Sequence, residues 1–247
     1  MLNEKQRIAK IIARSGICSR RDAEKLILEK RVKLNHQTIN TPAIQVNNTD
    51  IIEIDNIKIP TIQKTKAWLC HKPGGYITTS NDPQNRRTIF ELLPRDFPRV
   101  ITIGRLDINT EGLIILTNDG ELARLLELPN TGLLRVYKVR VYKRITDNDL
   151  KKIRSSPTVD GIRYNVESVD IISQTNSNTW LEITIKEGKN REIRNILSYF
   201  DIRINRLIRK SYGPFQLGNI HKGEIIEIPA HILKKQISLI KKYSTVV

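Results

Sequence analysis

Apolar residues near the start of the chain recur with the spacing of an α-helix. Their positions are Ile8, Ile11 and Ile12. Gly16 ends this run, and the pair Ser19 and Asp22 then has the spacing of a capping box. The pattern therefore predicts two consecutive helices, the second from Arg20 to Arg31. Both helices are basic on the face opposite the apolar one, at Arg7, Lys10, Arg14, Arg20, Arg21 and Lys25.

Strand patterns dominate the rest of the chain. Residues 135–142 alternate strictly between apolar and polar positions, and 166–172 with 179–185 predict a hairpin. Further strands are predicted at 32–34, 43–46, 51–55, 202–208 and 224–228, with helices at 121–128 and 190–200. No regular βαβ alternation is present, so an α+β fold is expected, with flanking helices around a cleft.

The same patterns divide the chain into two domains. A small N-terminal domain is predicted for residues 1–62 and a larger one for 63–247. Within the larger domain, 63–68 is a polar linker, and 231–247 is a basic C-terminal helix or tail.

The charge of the chain indicates its class of partner. The formal net charge is +16 and the pI is about 9.9, which favours capture of a polyanion, nucleic acid first and an anionic membrane second. The membrane is disfavoured because no apolar run approaches the roughly 20 residues that span a bilayer. The first residues lack the apolar stretch of a signal peptide, so the cytoplasm is expected. Two separated cysteines and four scattered histidines predict neither a disulfide nor a metal site.

Asp107 is the leading candidate for chemistry. It lies in a short polar segment between two apolar runs, 100–103 and 113–117. A carboxylate held between two strands can be directed into a cleft without entering the core. The alternative reading, from spacing alone, is a turn or helix-capping residue.

The N-terminal segment resembles an S4 RNA-binding domain of the αL type. The resemblance is carried by the run from Ala13 to Glu24 and extends over roughly residues 5 to 60. Where that family usually has glycines, this chain has Arg31 and His36. The resemblance implies that the basic helix faces contact structured RNA.

The remainder of the chain resembles the pseudouridine synthases of the RsuA/RluB type. The main motif is Gly-Arg-Leu-Asp-x-x-Thr-x-Gly-Leu around Asp107, followed by Thr-Asn-Asp-Gly at 117–120. Supporting segments occur in the expected order at 71–75, 87–94, 137, 187–194, 206–209 and 212–215. The implied fold is a mixed, mostly antiparallel sheet.

The resemblance also implies roles for individual residues. Asp107 is the implied catalytic acid, Arg194 its partner with Arg191 as second choice, and Tyr137 the ring that stacks on the target base. Arg105 is implied to fill the gap left by a flipped uridine, and Lys72 to bind RNA. Asp107 could attack C1′, attack C6 or assist removal of the 2′ proton, and these alternatives stay open. The isomerisation needs no cofactor.

These inferences predict isomerisation of uridine to pseudouridine in bacterial ribosomal RNA, and they favour the RNA of the large subunit. The expected partners are structured ribosomal RNA and ribosomal assembly intermediates, and the enzyme is expected to be a monomer. The alternative is a non-catalytic S4-type RNA-binding or ribosome-assembly protein that keeps the synthase fold.

Overall fold

A computed structural model of the chain describes residues 5–47 and 49–244, so parts of the predicted domains at 1–4, 48 and 245–247 lie outside the described residues. The described chain forms two compact units. The first takes the described residues of Met1–Thr65, with Asp96–Ile101 and Asn118–Gly120; the second takes Lys66–Arg95, Thr102–Thr117 and the described residues of Glu121–Val247. Two short segments of the predicted larger domain therefore belong to the first unit.

The N-terminal region combines two helices with short strands. Its elements are β1 (Gln6–Arg7), α1 (Ile8–Arg14), α2 (Arg20–Leu28), β2 (Val32–Leu34), β3 (Gln37–Thr38), β4 (Gln45–Val46), β5 (Ile52–Ile54) and β6 (Ile57–Lys58). Four of the strands form a sheet in the order β3-β2-β5-β6, and β1 pairs with β4. The core contains the helical residues Ile8, Ile12 and Ile27, each fully buried.

The helix ends in this region follow local chemistry. The predicted capping box is confirmed, because Asp22 N donates to Ser19 Oγ at 3.1 Å and Ser19 N donates to Asp22 Oδ2 at 3.3 Å. Helix α2 ends earlier than predicted, since Lys30 adopts a φ of 57°, which a right-handed helix cannot continue. Arg7 lies in β1, directly before α1, and not on a helical face.

The remaining elements build the larger part of the chain. They are β7 (Ala67–Lys72), β8 (Ile101–Ile103), β9 (Thr110–Thr117), α3 (Gly120–Glu127), β10 (Arg135–Val141), α4 (Asp147–Arg154), β11 (Thr158–Val159), β12 (Ile162–Arg163), β13 (Val166–Gln174), β14 (Thr179–Ile185), α5 (Glu192–Tyr199), β15 (Ile204–Tyr212), β16 (Phe215–Gln216), β17 (Ile225–Glu227) and α6 (Ala230–Ser244), with 3-10 turns at Ile89–Leu92 and Pro129–Thr131. The predicted C-terminal helix is present as α6. Among the described residues, no helix combines the length and the apolar character that crossing a membrane requires.

One large mixed sheet organises these elements. Within the described chain, nine strands join it, in the order β13-β14-β10-β15-β9-β7-β17, with β16 on β15 and β8 on β9. Strands β15 and β9 run parallel, whereas the other neighbours along this path are antiparallel. The expected α+β fold with a mostly antiparallel sheet is confirmed.

The two faces of the central strands differ in burial. Along β10, Tyr137, Val139 and Val141 are buried, whereas the residues between them are half-exposed. Because successive side chains of a strand point to opposite faces, one face is covered and the other meets solvent. We call the second the open face; on β10 and β14 it carries Val136, Lys138, Arg140, Trp180, Glu182 and Thr184.

Candidate active site

Asp107 lies in the loop between β8 and β9, and this loop is held by its backbone. Thr78 Oγ1 donates to Leu106 O at 2.8 Å and accepts from Leu106 N at 3.2 Å. Thr110 N donates to Asp107 O at 3.0 Å, where β9 begins. The carboxylate itself remains 29% exposed. The loop therefore fixes the position of Asp107 while leaving its side chain accessible.

Lys72 also holds this loop. Its side chain is fully buried, and its ammonium donates to Thr110 O at 2.8 Å, Pro73 O at 3.0 Å and Ile108 O at 3.3 Å. Burial lowers the pKa of Lys72 to about 8, although the charges of Asp107 and Glu111 oppose that shift. The prediction that Lys72 binds RNA is corrected, because its three donors are used by backbone carbonyls inside the protein.

Two arginines approach the carboxylate of Asp107 from one segment. Arg194 Nε lies 3.4 Å from Asp107 Oδ2, and Arg191 Nη1 lies 3.6 Å from the same oxygen. Arg194 is 17% exposed, whereas Arg191 is 53% exposed. Arg194 Nη2 also donates to Thr110 Oγ1 at 3.1 Å and to Asn109 O at 3.2 Å. Arg194, which the sequence analysis chose over Arg191 as the partner of Asp107, is thus the more buried of the two arginines and also contacts the loop.

The guanidinium of Arg194 is largely buried. Its Nε is buried and has no hydrogen-bond partner among the described residues, so the contact with Asp107 is an ion pair without hydrogen-bond geometry. Burial lowers the pKa of Arg194, and the negative charge of Asp107 opposes this. The largely buried charge of Arg194 is therefore compensated by Asp107.

These side chains line a cleft of about 730 Å³. Its wall includes Asp107, Arg191 and Arg194, together with Tyr137 and Arg105. A cavity of this volume lies within the range of sites that hold small organic groups. The structure thus brings the five cleft residues that the sequence singled out into one accessible space.

Tyr137 enters the cleft from the covered face of the sheet. It is 8% exposed and stands opposite Arg209 of β15 and Ile183 of β14. Arg209 is 2% exposed, and its Nε donates to Leu113 O at 2.7 Å. Sequence reasoning gave Arg209 no role and ended the strand at residue 208, although β15 continues to Tyr212. The paired register of β10 and β15 is a tertiary feature that the local pattern does not carry.

Another carboxyl group of the cleft wall, that of Glu192, is buried and was not identified as a site residue from the sequence. Glu192, the first residue of α5, is 3% exposed and accepts a hydrogen bond from Lys189 N at 3.1 Å. Burial raises the pKa of Glu192 to about 7. The residue before it, Arg191, has a left-handed backbone with φ 49°. Glu192 thus fixes the turn from which Arg191 reaches Asp107.

The remaining residues that the sequence predicts to bind RNA differ in their exposure to solvent. Arg105 is exposed and forms no hydrogen bond or ion pair with the described residues. In the first unit, four predicted contacts are exposed: Arg7, Arg20, Arg21 and Lys25. Lys10 and Arg14 are half-buried, and Arg14 Nη2 lies 3.0 Å from Asp119 Oδ2, within the same unit.

Comparison with known proteins identifies both parts of the chain. Residues 66–199 match the RNA pseudouridylate synthase family, and residues 6–52 match the S4 domain. A protein of Rickettsia felis described as an uncharacterized RNA pseudouridine synthase is 50% identical over 230 residues, which are 93% of this chain and 100% of the relative. The ribosomal large subunit pseudouridine synthase B of Buchnera aphidicola is 36% identical, over 95% of this chain and 99% of the relative.

A solved structure agrees at the level of the fold. The crystal structure of a pseudouridylate synthase superimposes with a TM-score of 0.64 and 21% identity, covering 95% of this chain and 99% of that one. The family match covers more than half of the chain, and the relatives extend it over nearly the whole length. The chain therefore belongs to the RNA pseudouridylate synthase family and is an RNA pseudouridine synthase that carries an N-terminal S4 domain.

Proposed function

We propose that this enzyme isomerises a specific uridine of bacterial ribosomal RNA, with Asp107 as its catalytic carboxylate. The observation that carries the proposal is the position of Asp107 in the cleft, 3.4 Å from the buried Arg194 and accessible to a ligand. The large-subunit assignment is supported by a relative of nearly equal length that is named for that subunit. Ribosomal RNA as substrate places the enzyme in the bacterial cytoplasm, and it is proposed to act as a monomer.

The reaction rearranges the nucleoside without adding atoms. The bond between N1 and C1′ breaks, the base turns and C5 bonds to C1′; C5 then loses its proton and N1 gains one. A carboxylate at the sugar can act as a nucleophile or as a base during these steps. Asp107 must be ionised for either role, and the guanidinium of Arg194 lies 3.4 Å from it. Attack at C1′, attack at C6 and removal of the 2′ proton are all compatible with this arrangement.

The target base must leave its stack to reach a carboxylate inside a cleft. Tyr137 is proposed to stack on the flipped uracil, and Arg105 to occupy the gap left in the RNA. Flipping costs a few kcal/mol, which contacts of this kind offset. Arg105 suits the role because it is exposed and forms no internal ion pair among the described residues.

The proposal is tested with Asp107→Asn on transcribed ribosomal RNA. We expect no pseudouridine from the variant, whereas RNA affinity stays within a few-fold of the parent, because the side chain keeps its volume. Asp170→Asn is the matched control, since Asp170 is exposed on β13 and pairs with Arg154 away from the cleft. Mapping of pseudouridine in large- and small-subunit RNA identifies the target. Full activity of the Asp107 variant would refute the catalytic role, and RNA binding by the parent without pseudouridine would favour the non-catalytic alternative.

A further inference from the structure

The open face of the sheet carries a row of cations without ionic partners. Lys138 and Arg140 lie on β10 and Lys210 on β15, and none forms an ion pair with a described residue. Arg140 stands directly opposite Arg206 across the strand pair. Like charges opposite each other on a sheet are destabilising. Because Arg206 is paired with Glu111, the charge left uncompensated in this pair is that of Arg140.

Acidic residues near the open face form ion pairs with other cations, and among the described residues none pairs with Lys138, Arg140 or Lys210. Glu111 pairs with Arg206 at 2.8 Å and with Lys222 at 2.8 Å. Burial alone would raise the pKa of Glu111, but hydrogen bonds from these two cations outweigh it and lower the pKa to about 2. Glu182 stands opposite Lys138 in the register without forming an ion pair. Asp170 of β13 stands opposite Glu182 and pairs with Arg154 at 3.1 Å. The open face thus keeps a net positive charge after these three acids are counted.

A second cavity, of about 660 Å³, opens beside two of these cations. Lys138 and Lys210 line it, together with His71 and the loop from Leu217 to His221. His71 Nδ1 donates to Ile220 O at 2.7 Å, which ties the loop to β7. A concave surface with ammonium groups and a fixed loop suits a phosphate group, which needs charge and several donors together.

An aromatic ring lies among these charges. Trp180 of β14 is half-exposed on the open face, and Lys138 Nζ lies 4.7 Å from its ring centroid. Basic residues interleaved with an aromatic ring are the combination that single-stranded nucleic acid uses, phosphates on the cations and a base on the ring.

We propose that the open face is a second RNA-binding surface, formed by Lys138, Arg140, Lys210 and Trp180. It rests on the proposed function, because the RNA is the substrate itself. Tyr137 and Arg209 face the cleft from the opposite side of the same strands. The surface therefore binds a part of the RNA that lies outside the segment held in the cleft. Its contribution is affinity for long RNA, and the cleft remains the site of chemistry.

The test removes the three cations together, as Lys138→Ser, Arg140→Ser and Lys210→Ser in one variant. The matched control carries Lys151→Ser, Lys152→Ser and Lys235→Ser, which removes the same charge from exposed helix positions. Binding is measured with a long ribosomal RNA fragment and with a short stem-loop around the target uridine, over a salt series. For the long RNA we expect the open-face variant to bind at least 10-fold more weakly, with a salt slope smaller by about 2, because two to three phosphate contacts are lost. The control should stay within 3-fold.

The short stem-loop separates this surface from the cleft. Both variants should bind and modify it at the parental rate in single-turnover assays, since it does not extend beyond the cleft. If the open-face variant matches the control on the long RNA, the proposal is overturned. If it loses affinity for phosphatidylserine vesicles and not for RNA, the face binds a membrane and the proposal is likewise overturned.

Should the triple variant not fold, the double variant Lys138→Gln with Lys210→Gln replaces it. The charge-conserving variant Lys138→Arg with Lys210→Arg must then retain affinity for the long RNA. Absence of pseudouridine with the parent enzyme would instead refute the proposed function.

Discussion

Arg194 contacts both the side chain of Asp107 and the backbone that follows it. Its Nε is 3.4 Å from Asp107 Oδ2, and its Nη2 donates to Asn109 O at 3.2 Å. The planar guanidinium of Arg194 thereby fixes the Asp107 side chain relative to the backbone of the loop that carries it. A lysine would keep the charge but could not make both contacts in this fixed geometry. The arrangement indicates that Arg194 positions the carboxylate.

We therefore expect Arg194→Lys to lower kcat by about 100-fold with little change in KM, because misplacement of a reacting group by about 1 Å costs about that much. Single-turnover rates on a ribosomal RNA fragment measure the effect. Arg191→Lys is the matched comparison, since Arg191 is 53% exposed and lies 3.6 Å from the same oxygen. Its loss should be smaller. A larger loss for Arg191→Lys would assign the partner role to that residue instead.

The buried carboxyl of Glu192 makes folding stability depend on pH. Burial raises its pKa from 4.5 to about 7, so the folded state holds the proton more tightly than the unfolded state. The contribution of Glu192 to stability is greatest below pH 4.5 and falls as pH rises to about 7, by at most about 3 kcal/mol. Glu192→Gln keeps the acceptor for Lys189 N and removes the ionisation. The variant should be more stable than the parent at pH 8, with the difference shrinking towards pH 5 in urea unfolding.

Glu187→Gln provides a control in which the change in stability should depend on pH in the opposite direction. The hydrogen bond from Lys189 lowers the pKa of Glu187, so its stabilising contribution is present above its ordinary pKa and is lost as pH falls. Removing that carboxylate should lower stability at pH 8 and have little effect in acid. Equal responses of the two variants to pH would show that the environment of Glu192 is not as described.

Local patterns predicted the elements better than the contacts between them. Strand β10 followed from its alternation, because one of its faces is covered, and the β13–β14 hairpin followed from two strand-like segments around a polar loop. Helix α4 was missed, since Asp147–Arg154 is mostly charged and exposes little periodic apolar pattern. The continuation of β15 past residue 208 was also missed, because a buried arginine at 209 contradicts the usual rule for strand interiors.

In the candidate site too, the sequence identified individual residues, whereas some of the contacts between them were seen only in the structure. The motif around Asp107 and the choice of Arg194 came from a family resemblance, and the cleft brings these residues together. The RNA-binding role that the resemblance implied for Lys72 does not fit its burial. Its burial depends on the backbone of the distant loop at Ile108 and Thr110, which no local pattern encodes.

Lys72→Met should destabilise the protein by about 3 kcal/mol or more. The substitution keeps much of the volume but leaves the carbonyls of Pro73, Ile108 and Thr110 without their donor. The loop that carries Asp107 would then lose its anchor, so kcat should fall as well. Urea unfolding and single-turnover rates measure the two effects. Lys151→Met, at an exposed site on α4, should remain within about 0.5 kcal/mol of the parent. A neutral result at Lys72 would mean that the loop is held by its other bonds alone.

The turn between β2 and β3 offers a test in the N-terminal unit. Asn35 and His36 form its two central residues, with φ of 50° and 68°. This is the hairpin geometry that favours glycine, and an L-residue there is strained. His36→Gly should therefore stabilise the protein by about 0.5–1 kcal/mol, since the contact of His36 with Glu53 is exposed on the histidine side and worth little.

Asn35→Gly should have the opposite effect, although it relieves strain in the same turn. Asn35 Nδ2 donates to Asp50 Oδ1 at 3.0 Å, and Asn35 Oδ1 accepts from Ile51 N at 2.9 Å. Asparagine also tolerates the left-handed region better than most residues, so glycine gains little there and loses both bonds. Thermal unfolding of the two variants beside the parent measures the contrast. Stabilisation by both would show that the asparagine bonds contribute nothing, and destabilisation by both would show that the histidine contact with Glu53 outweighs its backbone strain.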